Sequence, residues 1–158
     1  MLTARLTLAA ILLTLCGAAS AATPQEHLDF VCAVRALDCR ELAPPAVKVV
    51  PMQPLGQYRL WSDPDSVYVS VLVRDPVLFE GIVAHEISHY VDYKLGLAPL
   101  SERLWYEARP LYINWLCESE GQAWRAYNAW ALWHRLPPGY FRYNWLASYP
   151  MCSTRHLR

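Results

Sequence analysis

Asp75-Pro76 and Gly96 bracket the stretch of this chain that most narrows what it can fold into. A side chain able to accept from free backbone N–H groups, followed by proline at the first helical position, is a strong helix start. Glycine just past the last periodic residue is a stop. This frame predicts a helix from about Val77 to Leu95 that ends at Gly96, and it holds the pentad His85-Glu86-Ile87-Ser88-His89. Residues four apart on an α-helix are separated by about 400° of turn and about 6 Å of rise, so both histidines project from one face.

Two imidazoles so placed can hold one metal ion. Neutral imidazole nitrogen suits zinc, which takes a tetrahedral ligand set and in catalytic sites keeps one position open. Glu86 need not bind the metal. In H-E-x-x-H sites this carboxylate takes a proton from the activated water and passes it to the leaving amine. The rival reading is two polar histidines on a solvated helix face. A mid-helix position, a β-run directly before it and an export signal favour the metal.

A catalytic zinc needs a third protein ligand. The extended metzincin pattern asks for Gly three residues after the second histidine and His three further on. Asp92 and Leu95 stand there, so that pattern fails. His134, beside Trp133 near a helix end, and His156, in the terminal tail, qualify only if the fold brings them close. The other option is a glutamate on a later helix, and Cys117-Glu118-Ser119-Glu120-Gly121-Gln122-Ala123-Trp124 supplies two.

H-E-x-x-H on one helix followed by E-x-x-A on a later one resembles the gluzincin clan of metallopeptidases. The small size and preceding β-meander resemble its minimal members, the minigluzincins, over roughly residues 46–130. The resemblance implies a zinc metallopeptidase in which His85, His89 and Glu120 bind zinc and Glu86 is general base and acid. Ala123 then stands where the family keeps a small residue for close helix packing, whereas Glu118 would put Gly121 there. Some gluzincins carry Asp four residues after the ligating Glu to orient the first histidine. Here that residue is Trp124, so the orienting group must come from elsewhere, with Asp92 or a backbone carbonyl as candidates. The substrate implied is a peptide or protein. Cell-wall peptides are an alternative, and so is a non-catalytic exported binding module with a structural or vestigial zinc site.

The first residues read as a secretory signal. Arg5 is followed by the uncharged apolar run Leu6 to Leu15, and Ala19-x-Ala21 offers small residues for cleavage after Ala21. The run is too short for a permanent span. A lipid anchor on Cys16 is the rival, disfavoured by bulky Leu15 before it. Removing residues 1–21 from the 158 leaves 137, expected to form a single zincin-like domain over 22–158, periplasmic or secreted. Only Arg5 is lost among the charges, so the net charge moves from 0 to −1. That balance leaves no basic footprint for nucleic acid or anionic lipid. The four remaining cysteines suggest two disulfides in an exported domain. Three pairings are possible; Cys32–Cys39 as a local staple and Cys117–Cys152 as a long clamp are preferred. A cysteine-ligated zinc site is the alternative, poorly supported because no pair has C-x-x-C spacing.

The expected architecture is α+β, a small antiparallel meander against three to four helices. Thr23, Pro24 and Glu26 open a helix over 24–38 with an apolar stripe of Leu28, Val31, Cys32 and Ala36. Pro44-Pro45 closes that region. Strands follow at Ala46–Met52, Gln57–Trp61 and Ser66–Val73, with Val67, Val69, Val71 and Val73 on one face of the last. That strand is the candidate edge for an extended peptide. Ser101 opens a helical stretch that kinks or breaks at Pro110 and runs toward Arg135, where Pro137-Pro138-Gly139 ends it. The tail Tyr140 to Tyr149 has room for one short helix. Tyr140, Tyr143, Tyr149 and His134 are candidates for oxyanion stabilisation. Seven Trp and ten Tyr are assigned mainly to core and amphipathic surface.

Overall fold

The computed structural model describes residues 21–97, 109–135 and 152, with residues 109–112 and 114 described through their backbone only. Among these residues three helices and a three-stranded sheet form an α+β fold.

Helix α1 (Pro24–Arg35) begins as its sequence demands. The Thr23 hydroxyl accepts from the Glu26 N–H at 3.2 Å, and the Glu26 carboxylate accepts from the Thr23 N–H at 2.6 Å. The helix stops short of Asp38. Ala36 turns left-handed at φ 52°, and the N–H groups of Ala36 and Leu37 return to the carbonyls of Ala33 and Cys32. This reversal carries Cys39 back onto Cys32, and the two form a disulfide. Leu28, Val31 and Cys32 are buried as the periodicity requires, with His27 beside them, whereas Ala36 is exposed beyond the helix end.

Strands β1 (Ala46–Val50), β2 (Gly56–Arg59) and β3 (Asp63–Ser70) do not form the antiparallel meander. Their order is β1-β3-β2, with β1 parallel and β2 antiparallel to β3. The cause lies at Ser70. Its N–H donates to the Leu55 carbonyl and its hydroxyl to the Met52 carbonyl, while the Val71 N–H donates to the Val50 carbonyl. The chain between β1 and β2 is thereby wrapped round the end of β3, and β2 is delivered to its far side. Ser66–Val73 is therefore not an edge: β3 is central, and among the described residues β1 and β2 are the outer strands. Val67 and Val69 are fully buried, but the strand ends at Ser70 and Val71 is exposed in the turn that follows.

Helix α2 (Pro76–Lys94) packs on β2 and β3 and against α1 and α3 (Arg109–Trp133). Asp75 caps it by accepting from the N–H groups of Val77 and Leu78, both at 2.9 Å. Gly96 at φ 67° ends it, with the Gly96 and Leu97 N–H groups bonded to the carbonyls of Tyr93 and Asp92. Ile82, Val83, Ile87 and Val91 are buried on it, each contributing about 1.5–3 kcal/mol of apolar transfer. Helix α3 carries Pro110 in its first turn, where the missing N–H has no partner to lose. Of the helical stretch expected from Ser101 toward Arg135, the part from Arg109 to Trp133 is α3, and residues 101–108 lie outside the described residues, as does the aromatic tail. The α2–α3 contact is close because its residues are small. A Cβ on Gly81 would sit 2.5 Å from the Tyr127 ring, and Ala84, Ala123 and Ala126 are fully buried. Cys117 on α3 is bonded to Cys152. No described helix is long and apolar enough to cross a membrane.

Candidate metal centre

The close α2–α3 contact brings three donors together. His85 and His89 face α3, their Nε2 atoms 3.3 Å apart. The Glu120 carboxylate reaches across, with Oε2 3.5 Å from His85 Nε2 and Oε1 3.5 Å from His89 Nε2. These three residues can hold a metal ion. Glu120 lies on the buried face of α3 that also presents Ala123, Ala126, Tyr127 and Trp130, whereas Glu118 is exposed on the other side. His134 falls beyond the end of α3 in an exposed position, its ring 5.1 Å from that of Trp130, and takes no part. His156, Tyr140, Tyr143 and Tyr149 lie outside the described residues.

One histidine is held by a chain of hydrogen bonds that ends in a buried ion pair. His89 Nδ1 is 2.9 Å from Ser119 Oγ, and Ser119 Oγ donates to Asp92 Oδ2 at 2.6 Å. Arg35 donates to Asp92 Oδ1 at 2.5 Å and to the Ser88 carbonyl and hydroxyl at 3.0 and 3.1 Å. A serine hydroxyl has one hydrogen. Because Asp92 takes it, Ser119 must accept from His89, which assigns the proton to Nδ1 and leaves the Nε2 lone pair aimed at the other two donors. Asp92 thus acts on the second histidine through Ser119. The first is held differently: the His85 ring meets the Trp124 ring edge-on at 4.8 Å, and its buried Nδ1 has no hydrogen-bond partner among the described residues.

The electrostatics of the cluster follow from its burial. At His85 desolvation opposes protonation, but the hydrogen bond to Glu120 and the charges of Glu86 and Glu120 outweigh it and hold the pKa above the ordinary imidazole value. At His89 desolvation prevails and the pKa is lowered. Glu86 is 6 % exposed, and burial pushes its pKa up to about 7. Glu120 adds to that shift, while His85 and the Tyr58 backbone N–H oppose it. Strand β2 crosses directly over the Glu86 carboxyl: a Cβ on Gly56 would sit 2.4 Å from Glu86 Oε1 and 2.5 Å from Ile82 Cγ2. Only a residue without a side chain lets the strand approach this closely.

A cleft of about 650 Å³ opens between β2 with its following turn and the α2–α3 pair. Among the described residues Gln57, Tyr58, Arg59 and Trp61 line one wall and Tyr93, Trp115 and Leu116 the other, with His89, Ser119 and Glu120 reaching into it. Comparison with protein-family models, curated proteins and solved structures finds no match to the chain. Arg35, Ser119 and Gly56 were not apparent from the sequence. Ser119, directly before Glu120, is the one with a local signal, a hydroxyl beside a candidate ligand. Arg35 and Gly56 become meaningful only once distant elements are packed.

Proposed function

We propose that this protein is an exported zinc-dependent peptidase of gluzincin type. The observation that carries the reading is the convergence of His85 Nε2, His89 Nε2 and the Glu120 carboxylate, with the buried Glu86 next to His85 on the same helix and His89 and Glu120 lining a cleft. The donor set suits zinc in kind and spacing. Ligand atoms about 2.0–2.2 Å from a tetrahedral ion lie about 3.3–3.6 Å from each other, and the separations here are 3.3, 3.5 and 3.5 Å. His85, His89 and Glu120 would hold the ion. When bound, zinc acidifies water and polarises a carbonyl oxygen.

The remaining work falls to the chain's own groups. Glu86 accepts a proton from the attacking water at a carboxylate oxygen and returns it to the leaving amine nitrogen. Ser119, Asp92 and Arg35 keep His89 in one tautomer and orientation. An extended peptide can add to the edge of β2 that carries no strand among the described residues, since β2 lines the cleft. The two disulfides fit an oxidising compartment. The test is hydrolysis of unfolded polypeptide by the zinc-loaded parent and by Glu86→Gln. The variant is expected to keep its metal and lose at least about 100-fold in rate; a Glu86→Gln protein as active as the parent sinks the mechanism.

A further inference from the structure

Away from the metal cluster, the backbone N–H of Ala22 donates to Glu80 Oε1 at 3.0 Å. Ala22 is half-buried against the hydrophobic core, and the next residue, Thr23, is fixed by the capping box of α1. Glu80 belongs to α2, five positions before His85. The small residues that precede this nitrogen, Ala19-x-Ala21, match a signal-peptidase site at the same bond. The contact therefore places a helix carboxylate on the atom that cleavage after Ala21 would turn into a chain terminus.

We propose that the Ala21–Ala22 bond is the maturation site and that the α-ammonium group it releases is seated on Glu80, tying the new terminus to the helix that bears the histidines. A signal peptidase adds water across the bond: hydroxide goes to the Ala21 carbonyl carbon, which leaves as a carboxylate, and the Ala22 nitrogen is protonated to an ammonium. The amide has one N–H and no charge. The ammonium has three donors and a full positive charge, and a charge-assisted bond is roughly twice as strong as a neutral one. The position is specific. A cut one residue earlier leaves Ala22 as an amide and moves the charge by about 3.8 Å of chain; a cut one residue later removes Ala22. The inference does not depend on the metal site or on any activity.

The full chain is expressed with its own N-terminus in a secreting bacterial host, and the exported product is measured by intact mass. Its thermal midpoint is then compared with that of a form retaining Ala21 and a form whose Ala22 nitrogen is acetylated, each with Glu80 and with Glu80→Gln. The expected product starts at Ala22. Retaining Ala21 or acetylating Ala22 lowers the midpoint by roughly 2–6 °C when Glu80 is present and leaves it within about 1 °C in Glu80→Gln. A product starting elsewhere, including a lipid-bearing Cys16, overturns the proposal. So does an acetylated parent that melts with the free one, a reading that holds even if Glu80→Gln does not fold.

Discussion

Ser119 stands 2.9 Å from His89 Nδ1 and directly precedes Glu120 in the chain, so one turn of α3 supplies both a candidate ligand and the group that orients another. A metal-ligating histidine is commonly fixed in tautomer and orientation by the group that accepts from its other ring N–H. Ser119→Ala is expected to weaken zinc binding about 10–100-fold without abolishing it. Competition against a chromophoric chelator measures this; an unchanged affinity would show that His89 is oriented by packing alone.

The Arg35–Asp92 pair is buried, with the two side chains 7 % and 4 % exposed. Removing one partner strands the other's charge. Arg35→Met should therefore destabilise the fold by about 3–5 kcal/mol in urea unfolding. Because Asp92 also holds Ser119, the same variant should bind zinc more weakly. A loss under about 1 kcal/mol would mean that water reaches Asp92 and the pair counts as a surface one.

Under the proposed mechanism, a substitution at Gly56 is expected to separate metal binding from catalysis. Its added Cβ in Gly56→Ala would meet Glu86 Oε1 at 2.4 Å, while the three candidate ligands lie on α2 and α3. The variant should keep zinc affinity within about threefold and lose most hydrolysis, since small misplacements of a catalytic group cost about 100-fold. Equal losses of metal and activity would contradict this division.

Burial of His27 predicts a loss of stability on the acid side. His27 is buried, stacked on Trp130 at 4.4 Å, and its Nδ1 meets the Thr23 carbonyl at 3.0 Å. Desolvation lowers its pKa from the ordinary 6.5, against the Thr23 hydrogen bond and Glu80. A lowered folded pKa means that the unfolded chain binds more protons below 6.5. The contribution of His27 is therefore complete above that value and is lost as the pH drops from it toward the folded pKa. Thermal midpoints of the parent and of His27→Gln, each across pH 7.5 to 5 with zinc present, should show a smaller acid-side decline in the variant. Parallel curves would assign the decline to other groups.

What the sequence made legible was local. Thr23 with Glu26, Asp75 with Pro76, and Gly96 each act within one turn, so both helix starts and the end of α2 could be placed within a residue or so. The end of α1 was misplaced because Ala36 takes a left-handed conformation that its residue type does not announce. The strand order was unreadable for a different reason. It depends on Ser70 taking carbonyls from Met52 and Leu55, contacts that exist only after the chain has wrapped round β3. At the site, Glu120 was preferred to Glu118 only through the resemblance, which puts Ala123 three residues after it; the burial of Glu120 and the exposure of Glu118 belong to the packed helices. The Asp92–Ser119–His89 connection was not legible, because it joins two helices and is braced from a third.

The central claim is that Glu120 completes a zinc site with His85 and His89. Metal analysis and zinc affinity of the parent, Glu120→Ala and Glu118→Ala test it most directly. The account predicts about one zinc per chain in the parent, a loss of affinity of at least about 100-fold in Glu120→Ala, and parent-like binding in Glu118→Ala, whose side chain is exposed. Parent-like zinc binding by Glu120→Ala would contradict it.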